Sequence, residues 1–84
     1  MDLDKFTNDL IDKKMSENNE LIKITFYELR VKDNLSDDVT RDVIEIITEK
    51  LQETYKIYYT GSKYSYNGVE SKVEDNVLMV AIKV

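Results

Sequence analysis

The chain has 84 residues and a formal net charge of −5 at pH 7, and it contains no cysteine, no histidine and no proline. A chain of this length forms one small domain, and the absence of cysteine excludes a disulfide framework and a thiolate metal site. Its acidity argues against duplex DNA binding, and the lack of cysteine makes the cytoplasm the expected location. The acidic N-terminus predicts that there is no signal peptide, and the lack of any stretch approaching about 18 apolar residues predicts that there is no membrane span.

The first two predicted elements are a helix and a long strand. In residues 2–17 apolar side chains recur at helical spacing and predict the first helix. The period then changes, and residues 21–32 predict a strand. Within this strand Leu29 has the opposite parity from Ile24, which requires either a β-bulge near Tyr27–Glu28 or burial on both faces. The bulge is the favoured explanation.

Residues 34–55 predict the clearest amphipathic helix, and its two faces differ in chemistry. One face is a broad apolar arc, wider than the roughly 100° that a core-facing helix needs. The other face carries carboxylates at offsets that stay on one side of a helix. These carboxylates belong to Asp38, Asp42, Glu45, Glu49 and Glu53. Either Asn34 or Ser36 supplies the N-cap, since a short side-chain oxygen accepts hydrogen bonds from the free first-turn amides.

The C-terminal part of the chain predicts strands. Residues 56–60 form one strand directly after the helix, and Asn67-Gly68 predicts a hairpin because this pair tolerates the positive φ of a type I′ turn. In that hairpin Tyr66 lies opposite Val69, Tyr64 opposite Ser71 and Lys63 opposite Lys72. Residues 77–84 are apolar at both parities, which is typical of a central strand.

The element order α-β-α-β-β-β predicts a single α+β domain over residues 1–84. Both helices are expected on one face of a mixed sheet of about four strands, because this two-layer arrangement buries the apolar faces. The strands that flank the central helix form a right-handed β-α-β crossover if they share a sheet. The other sheet face stays open in this arrangement, with Val77 and Met79 on it. We expect homo-oligomerisation through that face.

Few side chains in the sequence suit catalysis. Without histidine and cysteine, catalytic triads and most zinc sites are excluded. The segment Gly61-Ser62-Lys63 lacks the earlier glycine of a phosphate-binding loop. The aspartates near the start of the central helix do not have the spacing of an EF-hand. We therefore expect a protein that is not an enzyme and that needs no metal or cofactor.

The acidic stripe, formed by Asp38, Asp42, Glu45, Glu49 and Glu53, has two interpretations. It is a solvated face that keeps a small protein soluble, or it binds a partner. A linear array of carboxylates can occupy the sites that phosphates use on a basic surface. The second interpretation predicts a non-enzymatic interaction module for a basic, nucleic-acid-binding partner enzyme. Small size, acidity and missing catalytic residues resemble those of small phage inhibitors of defence or DNA-repair enzymes, which implies an inhibitory function.

The predicted hairpin offers an alternative function. Tyr64 and Tyr66 share one of its faces, and Lys63 and Lys72 lie nearby. Aromatic rings among cations can stack single-stranded bases, so the hairpin is a candidate nucleic-acid-binding surface. Tyrosine is also a favoured strand residue that shields sheet surfaces, which makes packing the competing interpretation. Oligonucleotide binding with strong salt dependence would support the nucleic-acid-binding function.

Overall fold

The computed structural model describes all 84 residues and confirms an α+β fold, with two helices packed against antiparallel strands. The elements are α1 (Leu3–Glu17), β1 (Leu21–Thr25), a π-helix (Tyr27–Lys32), α2 (Asp37–Leu51), β2 (Tyr55–Tyr59), β3 (Lys63–Tyr66), β4 (Val69–Lys72) and β5 (Val77–Lys83). No helix has the length and apolar character needed to cross a membrane.

Strand β5 lies at the centre of a three-stranded sheet in the order β1-β5-β2. Both neighbours pair with it antiparallel, so the prediction of a central last strand is confirmed. The predicted mixed sheet of about four strands is replaced by this antiparallel sheet and a separate β3-β4 hairpin. Strands β1 and β2 run parallel to each other, and β5 separates them.

The hairpin covers the sheet face that the sequence left open. Tyr64 of β3 and Val73 pack with Val77 and Val80 of β5 in a second, small core. The prediction that Val77 and Met79 lie together on an open face is wrong, since Val77 lies under the hairpin, Met79 lies under the helices, and their exposed fractions are 3% and 0%. Homo-oligomerisation stays a prediction, but these two residues are not available for it.

A β-bulge in β5 explains how its side chains divide between the two cores. Thr25 pairs with Val77 and Ile24 pairs with Met79, which leaves Leu78 as an extra residue. The bulge reverses the alternation at this point, so Val77 lies in the hairpin-side core although strict alternation would group it with Met79.

The long second strand was predicted wrongly, because β1 ends at Thr25 and a π-helix follows. Phe26 already has helical torsion angles, φ −55° and ψ −44°. Glu28 stabilises this end of the strand, since its Oε1 accepts hydrogen bonds from the Thr25 N–H at 3.1 Å and from the Thr25 hydroxyl at 3.0 Å. The N–H of Asp33 donates to the Glu28 carbonyl at 3.1 Å, the five-residue spacing of a π-helix.

The predicted hairpin and its register are confirmed. Asn67 and Gly68 have φ values of 53° and 79°, the positive φ that the two central residues of a type I′ turn require. Tyr66 pairs with Val69, Tyr64 with Ser71 and Lys63 with Lys72. Local turn chemistry was therefore sufficient to fix this part of the fold.

Helix α2 is confirmed, with tighter limits than residues 34–55. Of the two candidate caps, Ser36 is the one used, because its Oγ accepts a hydrogen bond from the Val39 N–H at 3.2 Å. The residues that α2 buries are Thr40, Val43, Ile47 and Leu51. They pack over the Met79 side of the sheet, so the opposite face of the helix points outward.

Candidate interaction surface

Every member of the acidic stripe is exposed. Four of the five lie on α2, and Glu53 lies just beyond its last residue, Leu51. Residues three, four and seven positions apart stay on one side of a helix, so the carboxylates of α2 share one side and its buried residues share another. These two sides are roughly opposite each other. The four carboxylates on α2 therefore share its outward side, and Glu53 is exposed in the turn that follows. That this surface binds a partner stays a prediction.

The cations near α2 do not neutralise this surface. Arg41 pairs only with Asp38, with 3.5 Å between its Nη1 and Oδ1. The Lys50 ammonium lies 4.0 Å from Asp4 of α1, and Arg30 pairs with Asp37. The remaining stripe carboxylates have no lysine or arginine nitrogen within 4.0 Å. They belong to Asp42, Glu45, Glu49 and Glu53.

A shallow groove of about 540 Å³ runs between the stripe and strand β2. The groove is lined by Ile44 and Thr48 of α2, by Tyr59 of β2 and by three charged side chains of α2, Arg41, Glu45 and Glu49. Tyr59 is 46% exposed. Sequence periodicity missed this groove, because it brings together residues of two different elements.

A hydrogen bond fixes the orientation of Tyr59 in the groove. Its hydroxyl lies 2.9 Å from Thr48 Oγ1. The Thr48 hydroxyl donates to the Ile44 carbonyl at 2.9 Å, so the proton between the two hydroxyls comes from Tyr59. The groove therefore holds an oriented aromatic ring beside the charged side chains of Arg41, Glu45 and Glu49.

The hairpin residues of the alternative function are not brought together. Tyr64 and Tyr66 face the sheet and are half-buried, and the Tyr64 ring centroid lies 5.8 Å from that of Tyr58. Lys63 and Lys72 are exposed and, by strand alternation, point away from the sheet. The tyrosines and lysines thus occupy opposite faces of the hairpin, and stacked bases would not meet both sets.

A second exposed apolar patch lies on the π-helix and was missed at the level of sequence. The side chains of Phe26, Tyr27 and Val31 are exposed by 44%, 62% and 56%. The Arg30 guanidinium lies 5.4 Å from the Phe26 ring centroid, a distance typical of a cation–π contact. No sequence signal indicated this patch, because the strand prediction assigned these residues alternate faces of a sheet.

Glu28 is the one carboxylate whose environment clearly shifts its pKa. Burial alone raises the pKa, but the Lys14 ammonium 2.6 Å away and the hydrogen bonds from Thr25 outweigh it. The pKa therefore lies below its ordinary value of 4.5. A carboxyl group that acts as a general acid needs the opposite shift. No group of three or more carboxylates is arranged to hold a metal ion.

Glutamine at position 28 is expected to lower the free energy of unfolding by about 1–2 kcal/mol near pH 7 and by much less near pH 3. Because the folded-state pKa of Glu28 is lowered, its ionised form stabilises the fold fully above about pH 4.5. That contribution is lost as the pH falls through the folded-state pKa. Urea denaturation of the wild type and Glu28→Gln at both pH values measures the difference. The exposed Glu17, replaced in the same way, is the control, and an equal loss at both pH values would contradict the assignment.

Comparison with protein-family models, with curated proteins and with solved structures gives no match for this chain. The geometry and charge of the chain itself therefore carry the functional interpretation.

Proposed function

We propose that this protein is a non-enzymatic cytoplasmic inhibitor whose acidic stripe binds the basic, nucleic-acid-binding surface of a partner protein. The observation that carries the proposal is the run of exposed carboxylates at Asp42, Glu45 and Glu49 of α2, none of which lies within 4.0 Å of a lysine or arginine nitrogen. Helices built only for solubility usually mix signs, because a lysine four residues after a glutamate adds a few tenths of a kcal/mol. Unpaired like charges on one face therefore favour a function in binding.

The spacing of the carboxylates supports competition with a nucleic acid. Asp42 and Glu49 are seven residues apart, or about 10 Å along the axis of a helix that rises 1.5 Å per residue. A strand of duplex DNA places phosphates at intervals of about 3.4 Å along its axis, so both polymers present a line of anions. A groove of lysine and arginine that accepts one line would also attract the other, especially at low salt.

The groove beside the stripe adds short-range contacts to this long-range attraction. Tyr59 and Ile44 offer apolar surface, and tyrosine is among the residues that contribute most to binding energy at protein interfaces. Charge then accelerates the encounter, and the apolar contacts slow dissociation. A partner bound in this way would be protected from nucleic acid for as long as the complex lasts.

The triple variant Asp42→Lys, Glu45→Lys, Glu49→Lys is expected to keep the fold and lose the partner. All three side chains are exposed, and none makes a hydrogen bond or ion pair. Affinity capture from a bacterial lysate with wild type and variant, followed by mass spectrometry, identifies the proteins that depend on the stripe. Circular dichroism checks that the variant is folded.

A matched control separates the stripe from total charge. Asp12→Lys, Glu17→Lys and Glu70→Lys together change the net charge equally at exposed positions outside the stripe. This control is expected to retain the partner, and added oligonucleotide is expected to release the partner from wild type. A partner that is captured equally poorly by the stripe variant and by the control depends only on net charge. A partner that oligonucleotide cannot displace is bound elsewhere, and either result would disprove the proposal.

A further inference from the structure

Strand β2 has a free edge. One hydrogen bond shows which residues of β2 are bonded to β5. The Val84 N–H donates to the Thr54 carbonyl at 3.0 Å, and these two residues continue the β2-β5 register by one position. In an antiparallel pair, bonded and non-bonded residue pairs alternate. The backbone N–H groups of Tyr55, Ile57 and Tyr59 therefore point away from β5, and they donate no hydrogen bond elsewhere. On this edge the Tyr59 carbonyl is occupied, since it accepts from the Ser62 N–H at 3.0 Å.

The opposite edge of the sheet is protected. On β1, the Asn18 side chain accepts from the Leu21 N–H at 3.3 Å, and Glu28 accepts from the Thr25 N–H at 3.1 Å. An exposed lysine, Lys23, lies between these two positions. Polar side chains that occupy edge amides and lysines on an edge strand are common defences against further strand pairing. Strand β2 also carries an exposed lysine, Lys56, but no side chain accepts from its outward amides, so these amides remain available.

The free edge borders the groove beside the acidic stripe. Tyr59 belongs to both, since its ring lines the groove and its N–H points outward from the sheet. Residues of an added strand alternate between the two faces of the sheet. Every second side chain of such a strand would therefore lie on the helix side of the sheet. Those near Tyr59 would enter the groove, where the carboxylates of Glu45 and Glu49 outnumber the single cation, Arg41.

We propose that β2 pairs with an extended segment of the partner, which adds a fourth strand whose alternate residues are basic. The inference rests on the proposed function and adds the form in which the partner binds. The basic side chains face the groove and the stripe. The other side chains face Lys56, which is exposed on the hairpin side, and must therefore be neutral or acidic. Main-chain hydrogen bonds supply affinity, and the alternation supplies specificity.

Charge argues against a second copy of the chain as the added strand. Two β2 strands paired about a two-fold axis would form one continuous sheet with both α2 helices on the same face. That arrangement would bring two acidic stripes near each other in a dimer of chains that each carry a net charge of −5. Like charges at close range oppose association, so a basic segment is the better occupant.

Two synthetic peptides of equal composition test the alternation. One alternates lysine and threonine over ten residues, and the other carries the same residues in two blocks. The alternating peptide is expected to bind at least about threefold more tightly, since only it can place every lysine on the groove side. Amide exchange by NMR is expected to slow by about tenfold at Ile57 and Tyr59 in this complex, and to stay unchanged at Lys23.

A proline at position 59 tests the main-chain contact. Tyr59→Pro and Tyr59→Ala both remove the ring, but only proline removes the outward N–H. The proline variant is expected to bind the alternating peptide about three- to tenfold more weakly than the alanine variant. Equal affinity, with both proteins folded by circular dichroism, would overturn strand addition. If the proline variant does not fold, amide exchange at Ile57 and Tyr59 of the wild-type protein tests strand addition instead.

The outcomes separate this inference from the proposed function. Equal binding of both peptides without protection at Ile57 and Tyr59 would disprove strand addition and leave the stripe as a charged binding surface. Protection at these residues that rises with protein concentration alone would assign the edge to a second copy and overturn the basic occupant. Failure of both peptides to bind would also overturn it, while the lysate capture with the charge-reversed variant tests the stripe independently.

Discussion

Alanine at position 47 is expected to lower the free energy of unfolding by about 2–5 kcal/mol, and alanine at position 46 by about 1 kcal/mol or less. Both isoleucines lie in the broad apolar arc of α2, so the sequence pattern treats them alike. In the structure Ile47 is fully buried between α2 and the sheet, whereas Ile46 is half-buried and belongs to neither core. Only the first substitution therefore creates a cavity.

Urea denaturation followed by circular dichroism measures the difference. A domain of this size has a free energy of unfolding of about 4–12 kcal/mol, so Ile47→Ala can leave a large fraction of molecules unfolded. Ile47→Val keeps the comparison measurable, with an expected loss of about 0.5–1.5 kcal/mol. Similar losses for Ile46→Ala and Ile47→Ala would contradict the orientation of α2, and with it the outward direction of the acidic stripe.

Local chemistry predicted the parts of the fold that depend on neighbouring residues. The Asn67-Gly68 pair fixed the hairpin register because few other residues accept positive φ at both central positions of the turn. Ser36 marked the start of α2 through its own hydrogen bond to the helix. Apolar residues at both parities of β5 indicated a central strand, and β5 lies between β1 and β2.

Contacts between distant residues account for what the sequence did not predict. Residues 26–32 contain strand-forming Phe26, Tyr27 and Val31, so propensity favoured a continued strand. The ion pair between Glu28 and Lys14 of α1 and the burial of Leu29 override that preference. Alternation also grouped Val77 with Met79 on an open face, whereas the bulge at Leu78 separates these two residues and the hairpin covers Val77.

The candidate site also combines a feature set by neighbouring residues with features set by contacts between distant ones. The acidic stripe lies within one helix and its immediate end, so its geometry followed from helical periodicity. The groove needs the packing of Tyr59 against Thr48, and the free edge of β2 needs the pairing with β5. No one-dimensional pattern contains these contacts, which is why the stripe was predicted and the groove was not.

Alanine at position 29 is expected to lower the free energy of unfolding by about 2–5 kcal/mol, and alanine at position 31 by less than about 1 kcal/mol. A strand places residues two positions apart on the same face, so continued β structure would give similar burial at both. The π-helix separates them, since the exposed fractions are 0% for Leu29 and 56% for Val31. Stability measurements on Leu29→Ala and Val31→Ala thus distinguish the two backbone conformations.

Leu29 attaches the π-helix to the rest of the domain. Leu29 is the one buried side chain of this helix and belongs to the main core, which it shares with Ile24 and Leu35. Leu29→Met retains most of the volume and is expected to lose less than about 1.5 kcal/mol, which separates a cavity effect from loss of backbone structure. Equal losses for Leu29→Ala and Val31→Ala would favour the strand. A much larger loss of unfolding free energy for Leu29→Ala would support the π-helix, in which Leu29 is buried while Phe26, Tyr27 and Val31 stay exposed.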